Sequence, residues 1–328
     1  MRLSAKINEG VVYGLLELTP ELEEALRSGC LYLRSDKSRE SVAACTETQT
    51  FSVRRLNQTN TLLLSTQDGD DITAFGTSSN LLEPILSSGS VDLPSIAVYR
   101  RQNTFGPSET MEELQNRSMC SAAEFRSICE ENAVFEYCGK VCKLEDETIY
   151  FIVNELISTI IGEGLGLTAR FEEVVEVSGT QECKEAVEAV YKLFYDDEMG
   201  QIDTNKAAVW IGRYLLGNLA GEVTAYDFMK QWQHKTPVHL QLDITKLEGH
   251  FFEPRKGVIR SLSVDKLSKD PRVRFQQLFQ LKNEWDLDEM GPFIRDLMNI
   301  NSKLENWVLK YARRVKKDGH VFILPRKL

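Results

Sequence analysis

Basic residues crowd the last twenty-six positions of the chain, residues 303–328. This segment holds eight lysines and arginines against two acids, whereas the whole chain carries a formal net charge of −10. Cations at this density can neutralise phosphates, so we expect the segment to bind a nucleic-acid backbone. Because phosphate contacts carry no sequence information, the predicted binding to DNA is weak and without sequence preference. The predicted DNA-binding residues are Lys310, Arg313, Arg314, Lys316, Lys317, His320, Arg326 and Lys327.

The negative end of a helix dipole offers a simpler explanation for some of these cations. Basic side chains at a helix C-terminus each contribute about 0.3–1 kcal/mol. One or two residues would satisfy that role, and residues 310–317 contain five. We therefore favour phosphate neutralisation as the explanation for the surplus.

The elements that must position the cations are a helix, a turn and a strand. Asn301 is a typical helix cap, and an apolar stripe follows it at helical spacing. The stripe consists of Leu304, Trp307, Val308 and Tyr311. These side chains are predicted to lie in the core, with the basic residues on the outer face of the helix. Asp318-Gly319 is a hairpin signal before a predicted strand at 321–324, an order typical of a winged helix.

A short signature occurs three times in the second half of the chain. Ser121, Thr224 and Asp286 each stand three positions before an acid and four before an apolar residue, as capping residues do at a helix start. A hairpin pattern follows each of them, and the repetition predicts three winged helices in tandem. The predicted fold class is α+β, with a β-rich part at 1–110, a first winged helix and helical linker at 111–200, a second winged helix at 201–269 and a third at 270–328.

The first 110 residues predict short strands that need a partner. A helix at 20–27 is capped by Thr19 and ended by Gly29. Polar residues at 54–60 predict a rim or a connection, and residues 76–110, rich in Ser, Gly, Asn and Pro, predict loops and a linker. The predicted strands are 11–18, 31–33, 42–45, 50–53, 62–64 and 96–99. Because so few short strands leave open edges, we expect strands from another chain to complete the sheet.

Composition places the chain among soluble proteins with separate partners for separate segments. Of its 328 residues, 42% are hydrophobic and 27% are charged, and no apolar run has the length of a membrane span. Seven scattered cysteines without a signal peptide favour reduced thiols in the cytosol or nucleus. Residues 111–200 carry 20 acids and 7 bases, and both later segments are basic. We therefore expect no membrane contact, and different partners along the chain.

Motifs of known catalytic chemistry are missing from the sequence. It contains no G-x-x-x-x-G-K-[ST], H-E-x-x-H or G-x-S-x-G. The glycines at 162–166 follow a predicted helix and are interpreted as its end. The acids at 196–198 are interpreted as solvated, and Cys138 and Cys142 as small apolar residues instead of metal ligands. We therefore predict no enzyme activity, no metal and no cofactor.

Three patches of sequence resemble a known family. The most specific is residues 44–64, which begins Ala-Cys-Thr-Glu-Thr-Gln-Thr-Phe, and a second is residues 13–22. The third runs from 274–279 through Trp285, 292–294 and 309–314. With these patches the chain resembles the accessory subunit of the alternative replication clamp loader, the family named for defective sister-chromatid cohesion. Residues 96–105 depart from the family pattern.

The resemblance implies partners and a role. The N-terminal strands would join the large ATPase subunit and the smallest subunit of the clamp loader in a composite β-barrel. The winged helices would contact the catalytic subunit of DNA polymerase epsilon and DNA. The complex would act on the sliding clamp PCNA in the nucleus and support cohesion, with ATP hydrolysis left to other subunits.

Two further function classes stay open from the residues alone. A protein-only scaffold would use its winged helices for partners and never touch DNA, and the acidic stretch 111–144 favours this for the first unit. An enzyme, ranked last, would require turnover by the purified chain. We rank the adaptor with a DNA-contacting end first.

Overall fold

A computed structural model describes residues 2–7, 10–11, 13–36, 41–237, 240–298, 303–317 and 319–326. The chain forms two compact units. Unit 1 comprises residues 1–145 and 182–193, and unit 2 comprises residues 146–181 and 194–328. Both mix helices with sheets, so the α+β class is confirmed. The four domain boundaries drawn from the sequence stay a prediction.

The first half of the chain is rich in strands. Its elements, in chain order, are β1 (Arg2–Ala5), β2 (Leu15–Leu16), α1 (Pro20–Ser28), β3 (Tyr32–Ser35), β4 (Val42–Cys45), β5 (Thr50–Asp68), β6 (Asp71–Ser87), a 3-10 helix (Leu93–Ser95), β7 (Ala97–Arg100), β8 (Asn103–Phe105), α2 (Met111–Arg117), α3 (Ala122–Glu131), β9 (Val134–Tyr137) and β10 (Lys140–Leu144). The α1 helix is capped by the Thr19 side chain and followed by Gly29 at φ 76°, as predicted.

An open six-stranded sheet dominates the N-terminal part of unit 1. Its strands follow the order β1-β6-β5-β4-β3, and β2 pairs with β6. The hairpin of β5 and β6 is held antiparallel along nearly its whole length, with register shifts near Leu62 and Leu64. A small core of Leu22, Ala44 and Phe51 lies between α1 and the sheet. The described strands do not close into a barrel.

Two predictions for this region are wrong. Residues 54–60 belong to β5 and residues 76–87 belong to β6, although both stretches have loop-like compositions. Pairing between the two strands overrides composition, because each supplies the backbone partners of the other. Gly76 has a packing role, since a Cβ there would lie 2.4 Å from the Tyr13 ring.

A four-stranded sheet and its helices form the rest of unit 1. The strand order is β8-β7-β10-β9, with β7 parallel to β10 and β9 at the edge. Ser121 and Glu124 form the predicted capping box of α3, and the hairpin predicted to follow Ser121 turns at Gly139, which has φ 73°. Leu114, Phe125 and Val141 belong to its core.

The second half of the chain is mostly helical. Its elements are α4 (Asp146–Gly162), α5 (Phe171–Val177), α6 (Lys184–Phe194), β11 (Tyr195–Asp196), β12 (Gln201–Ile202), α7 (Thr204–Gly217), β13 (Glu222–Thr224), α8 (Ala225–His234), β14 (Phe251–Arg255), β15 (Val258–Ser261), α9 (Pro271–Leu281), β16 (Trp285–Asp286), α10 (Leu287–Met290), α11 (Leu304–Val308), β17 (Ala312–Lys317) and β18 (His320–Pro325), with 3-10 helices at Ile244–Leu247, Val264–Lys266, Gly291–Phe293 and Arg295–Leu297. These elements lie in unit 2, except that residues 184–193 of α6 belong to unit 1.

Two three-stranded sheets organise unit 2, in the orders β13-β15-β14 and β16-β18-β17. They share a core, because Phe252 of β14 lies 5.5 Å, between ring centroids, from Trp285 of β16. Buried Arg274 reinforces it by donating to the Phe293 carbonyl (3.0 Å) and pairing with Asp296 (2.5 Å). The hairpin predicted to follow Thr224 is formed by β14 and β15 around Gly257, and Thr224 and Asp286 are confirmed as helix caps.

The helix predicted to carry the basic residues is wrong. The α11 helix ends at Val308, and Arg313 through Lys317 lie on β17. These residues form a strand and not a helix, because β18 supplies a partner for every one of the six residues of β17. The apolar stripe is nevertheless in the core, as predicted, with Trp307 and Val308 buried. The proposed cap Asn301 lies outside the described residues.

Candidate nucleic-acid interface

The basic residues of the C-terminus lie on a β-hairpin. Its strands β17 and β18 pair antiparallel from Ala312↔Pro325 to Lys317↔His320, and Gly319 in the turn has φ 84°. A positive φ at this position suits glycine, which supports the turn predicted from the sequence. Asp318, the other predicted turn residue, lies outside the described residues.

The two faces of the hairpin divide the cations. Arg314 stands opposite Ile323, which also pairs with buried Trp285, so Arg314 and Lys316 extend from the face that covers the core. Arg313 and Lys317 extend from the other face. The positive charge is therefore distributed around the hairpin and does not form one flat patch.

Acidic side chains partner three of the predicted DNA-binding residues. Arg314 is 2.7 Å from Glu305, and Lys317 is 2.8 Å from Glu284. Nδ1 of His320 lies 3.3 Å from Asp286. These pairs are partly exposed, so each contributes little to stability, but each lowers the positive potential of the hairpin.

The other predicted DNA-binding residues differ in how many of their donors are already used within the chain. Arg313 donates from Nε to the Pro325 carbonyl (3.2 Å), and Arg326 donates to the Leu309 carbonyl. Both guanidinium groups keep further donors for a phosphate. Lys310 and Lys316 are exposed and have no ion pair with a described residue. They are the cations most available to an incoming anion, and Lys327 lies outside the described residues.

A second basic hairpin escaped the sequence prediction. Arg255 and Lys256 precede the Gly257 turn between β14 and β15, and Arg260 follows on β15, all exposed. Arg255 has a weak partner, Glu222 at 3.5 Å. Basic residues on both sides of a turn glycine could have predicted this second hairpin from the sequence.

The acidic partners of the β17–β18 hairpin could not be predicted in this way. Glu284 and Asp286 stand some thirty residues before Lys317 and His320, which they contact, so no local pattern links them.

An open strand edge is the main candidate for protein contact. The β4 strand pairs with β5 only from Thr50 to Ser52, so residues 53–57 and 62–68 are paired on one side alone, by β6, among the described residues. Leu63, near the middle of this edge, is 55% exposed. Unpaired backbone groups beside exposed apolar side chains form a template for a strand from another chain.

A carboxylate anchors the start of β5 to α3. Glu124 accepts hydrogen bonds from Thr50 Oγ1 (2.5 Å), the Gly89 amide (2.9 Å) and Ser121 Oγ (2.7 Å). Burial acts to raise the pKa of Glu124, but these hydrogen bonds favour the carboxylate, and the pKa is lowered overall. The six-stranded sheet and the α3 region of unit 1 are therefore tied together by a charged group.

Three of the cysteines are buried and protonated. Burial raises the pKa of Cys120 and Cys142 to about 12, and of Cys129 to about 11, so these thiols stay protonated near neutral pH. Cys138 is exposed, contrary to the small apolar role assigned to it, while Cys142 is buried as expected. In the described ranges no three His, Cys, Asp or Glu residues are grouped as a metal site. Nor is any described helix long and apolar enough to span a membrane.

Comparison with known proteins gives one consistent family. Residues 13–294 match the model of the family described as Sister chromatid cohesion protein Dcc1. The Sister chromatid cohesion protein DCC1 of Saccharomyces cerevisiae is 24% identical over 367 residues, covering 96% of each chain. The human protein of that name is 24% identical, covering 93% of this chain and 86% of its own length. The probable counterpart from Dictyostelium discoideum is 20% identical, covering 96% and 94%. The chain belongs to the Dcc1 family of sister chromatid cohesion proteins.

Proposed function

We propose that the chain is a non-catalytic adaptor subunit of the alternative, cohesion-type PCNA clamp loader, acting in the nucleus. Its N-terminal sheet is completed by strands of the large ATPase subunit and the smallest subunit. Its helical part bridges the loader to the catalytic subunit of DNA polymerase epsilon and to DNA. Family membership supports this role, and the open edge of β5 is the observation that carries it.

The helical part supports a tandem winged-helix arrangement. A capped helix precedes a two-stranded hairpin three times, as α3 with β9–β10, α8 with β14–β15 and α10 with β17–β18. We propose that the acidic first winged helix faces protein and that the basic third faces DNA. The acids of the first repel phosphate, whereas Lys310 and Lys316 of the third are exposed and unpaired among the described residues.

A single substitution at the open edge tests the composite sheet. Leu63→Lys places a charge where a partner strand would pack, while its 55% exposure leaves the free chain nearly undisturbed. We expect about a tenfold loss of affinity for the two loader subunits, because the variant places one charged side chain in an apolar contact. Co-expression of all three subunits, purification and quantitative binding by biolayer interferometry measure the effect.

Leu26→Lys is the matched control, because Leu26 is 54% exposed and lies on α1, which is not part of the β5 edge. It should leave the affinity within about twofold of the unchanged chain. Equal affinities for the Leu63→Lys variant and the unchanged chain would show that the loader subunits do not bind at the β5 edge. The proposed composite sheet would then have no support.

The protein-only scaffold is the second candidate function. The ion pairs of Arg314 and Lys317 with nearby acids and the contact of His320 with Asp286 favour it, because these acids lower the positive potential that the hairpin offers to phosphate. DNA titration separates the two candidates, since a scaffold without DNA contact shows no salt-dependent affinity that responds to the hairpin cations.

A further inference from the structure

A groove in unit 1 lies outside both surfaces considered so far. It has a volume of about 410 Å³ and lies between α3, β9 and α6. Its floor is apolar, because Phe125 and Cys129 of α3 and Phe135 of β9 line it, and each is less than 8% exposed. A floor of this kind offers an incoming partner small areas of aromatic and aliphatic surface.

The groove runs along an unpaired strand edge. The β9 strand is the last of its sheet and, in the part of the chain that the structure describes, pairs only with β10. Three consecutive residues of β9, Val134 to Glu136, all line the groove. Successive side chains of a strand point to opposite faces, so a groove bordered by all three follows the backbone edge. Edge amides and carbonyls are therefore presented to whatever enters it.

The rim of the groove is acidic. Glu130, Glu136 and Glu185 are exposed and form no ion pair with a described residue. Lys192, one of two bases at the groove, is 2.9 Å from Glu188 and so is already compensated. The remaining base is Arg126. The net negative charge favours a cationic occupant and repels nucleic acid.

We propose that this groove binds an extended, basic peptide segment of a protein partner, which adds a strand to β9. Backbone hydrogen bonds to β9 hold the segment, as in other sheet-edge complexes. Alternate apolar side chains face the floor formed by Phe125 and Phe135, and lysines or arginines between them face Glu130, Glu136 and Glu185. This site deepens the proposed function and rests on it, because it lies on the first winged helix, which we propose faces protein. Neither the β5 edge nor the β17–β18 hairpin takes part in it, so its failure in the test below would leave the composite sheet and the DNA contact untouched.

Selection from a library of random ten-residue peptides displayed on phage tests the site, with the full chain as the target. Enriched peptides are synthesised with a fluorescent label, and their affinities are measured by anisotropy. The groove variant is Glu130→Lys/Glu136→Lys/Glu185→Lys, and circular dichroism verifies its fold. The matched control is Glu163→Lys/Glu172→Lys/Glu176→Lys, three exposed glutamates of unit 2.

We expect basic peptides with alternate apolar residues to bind the groove variant about tenfold more weakly, and the control variant within about twofold. Methylation of alternate backbone nitrogens of the peptide should lower the affinity about tenfold or more, because the strand hydrogen bonds are lost. Acidic peptides, or basic ones insensitive to the groove variant, would overturn the proposal. So would a concentration-dependent dimer that the groove variant abolishes, since the occupant would then be a second copy of the chain.

Discussion

Reversing Arg313, Arg314, Lys316 and Lys317 to glutamate is expected to abolish most of the affinity of the chain for DNA at low salt. Each phosphate contact contributes about 0.9 to the slope of log affinity against log salt concentration, so four lost contacts flatten the slope by up to about 3.6. Titration of a labelled 30-base-pair duplex at several salt concentrations gives both quantities. Binding should be equally weak on unrelated duplex sequences.

The ion pairs of the hairpin predict which of its cations contribute most to DNA binding. Lys310→Ala/Lys316→Ala removes two cations that have no described partner, so we expect the slope to fall by about 1.8. Arg314→Ala/Lys317→Ala removes cations that Glu305 and Glu284 already compensate, and the slope should fall by less. Lys6→Ala/Arg126→Ala, two exposed cations of unit 1, is the control. A slope that none of the hairpin variants changes would favour the protein-only scaffold.

Gly212→Val is expected to destabilise unit 2 by about 3 kcal/mol. Gly212 lies inside α7, where a Cβ would stand 2.6 Å and 2.8 Å from two atoms of the Trp232 ring and 3.0 Å from Leu247 Cδ1. Trp232 and Leu247 are fully buried, so neither can move aside cheaply. The clash outweighs the roughly 0.5 kcal/mol by which valine is the better helix former.

The same substitution at the end of the same helix is the control. A Cβ on Gly217 meets no atom within 4 Å, so Gly217→Val should change stability by less than about 0.5 kcal/mol. All four tryptophans of the chain lie in unit 2, which makes intrinsic tryptophan fluorescence during urea unfolding a specific measure of that unit. Equal unfolding midpoints for the two variants would contradict the packing of α7 against α8.

Local signals in the sequence predicted the parts of the fold that depend on a few neighbouring residues. Thr19 and Gly29 bound α1, Ser121 begins α3, and Gly139 turns the hairpin that follows it. In each case the side chain or the glycine acts on backbone groups within a few positions, so the sequence contains the whole interaction.

Distant pairing decided what the sequence could not predict. Residues 76–87 have the composition of a loop, and only their pairing with β5 makes them a strand. Residues 313–317 follow the apolar helical stripe of residues 304–311, and their basic side chains are predicted to lie on the outer face of that helix, but β18 holds them extended. The positions of the cations were known, yet their partners Glu284 and Glu305 could be found only once the hairpin was folded.

Amide hydrogen exchange along β5 tests the composite sheet most directly. In the free chain, the amides of residues 53–68 that point away from β6 have no described strand opposite them and should exchange rapidly. In the complex with the large ATPase subunit and the smallest subunit, the same amides should become strongly protected, because partner strands bond to them. A complex that forms while these amides exchange as in the free chain would contradict the account.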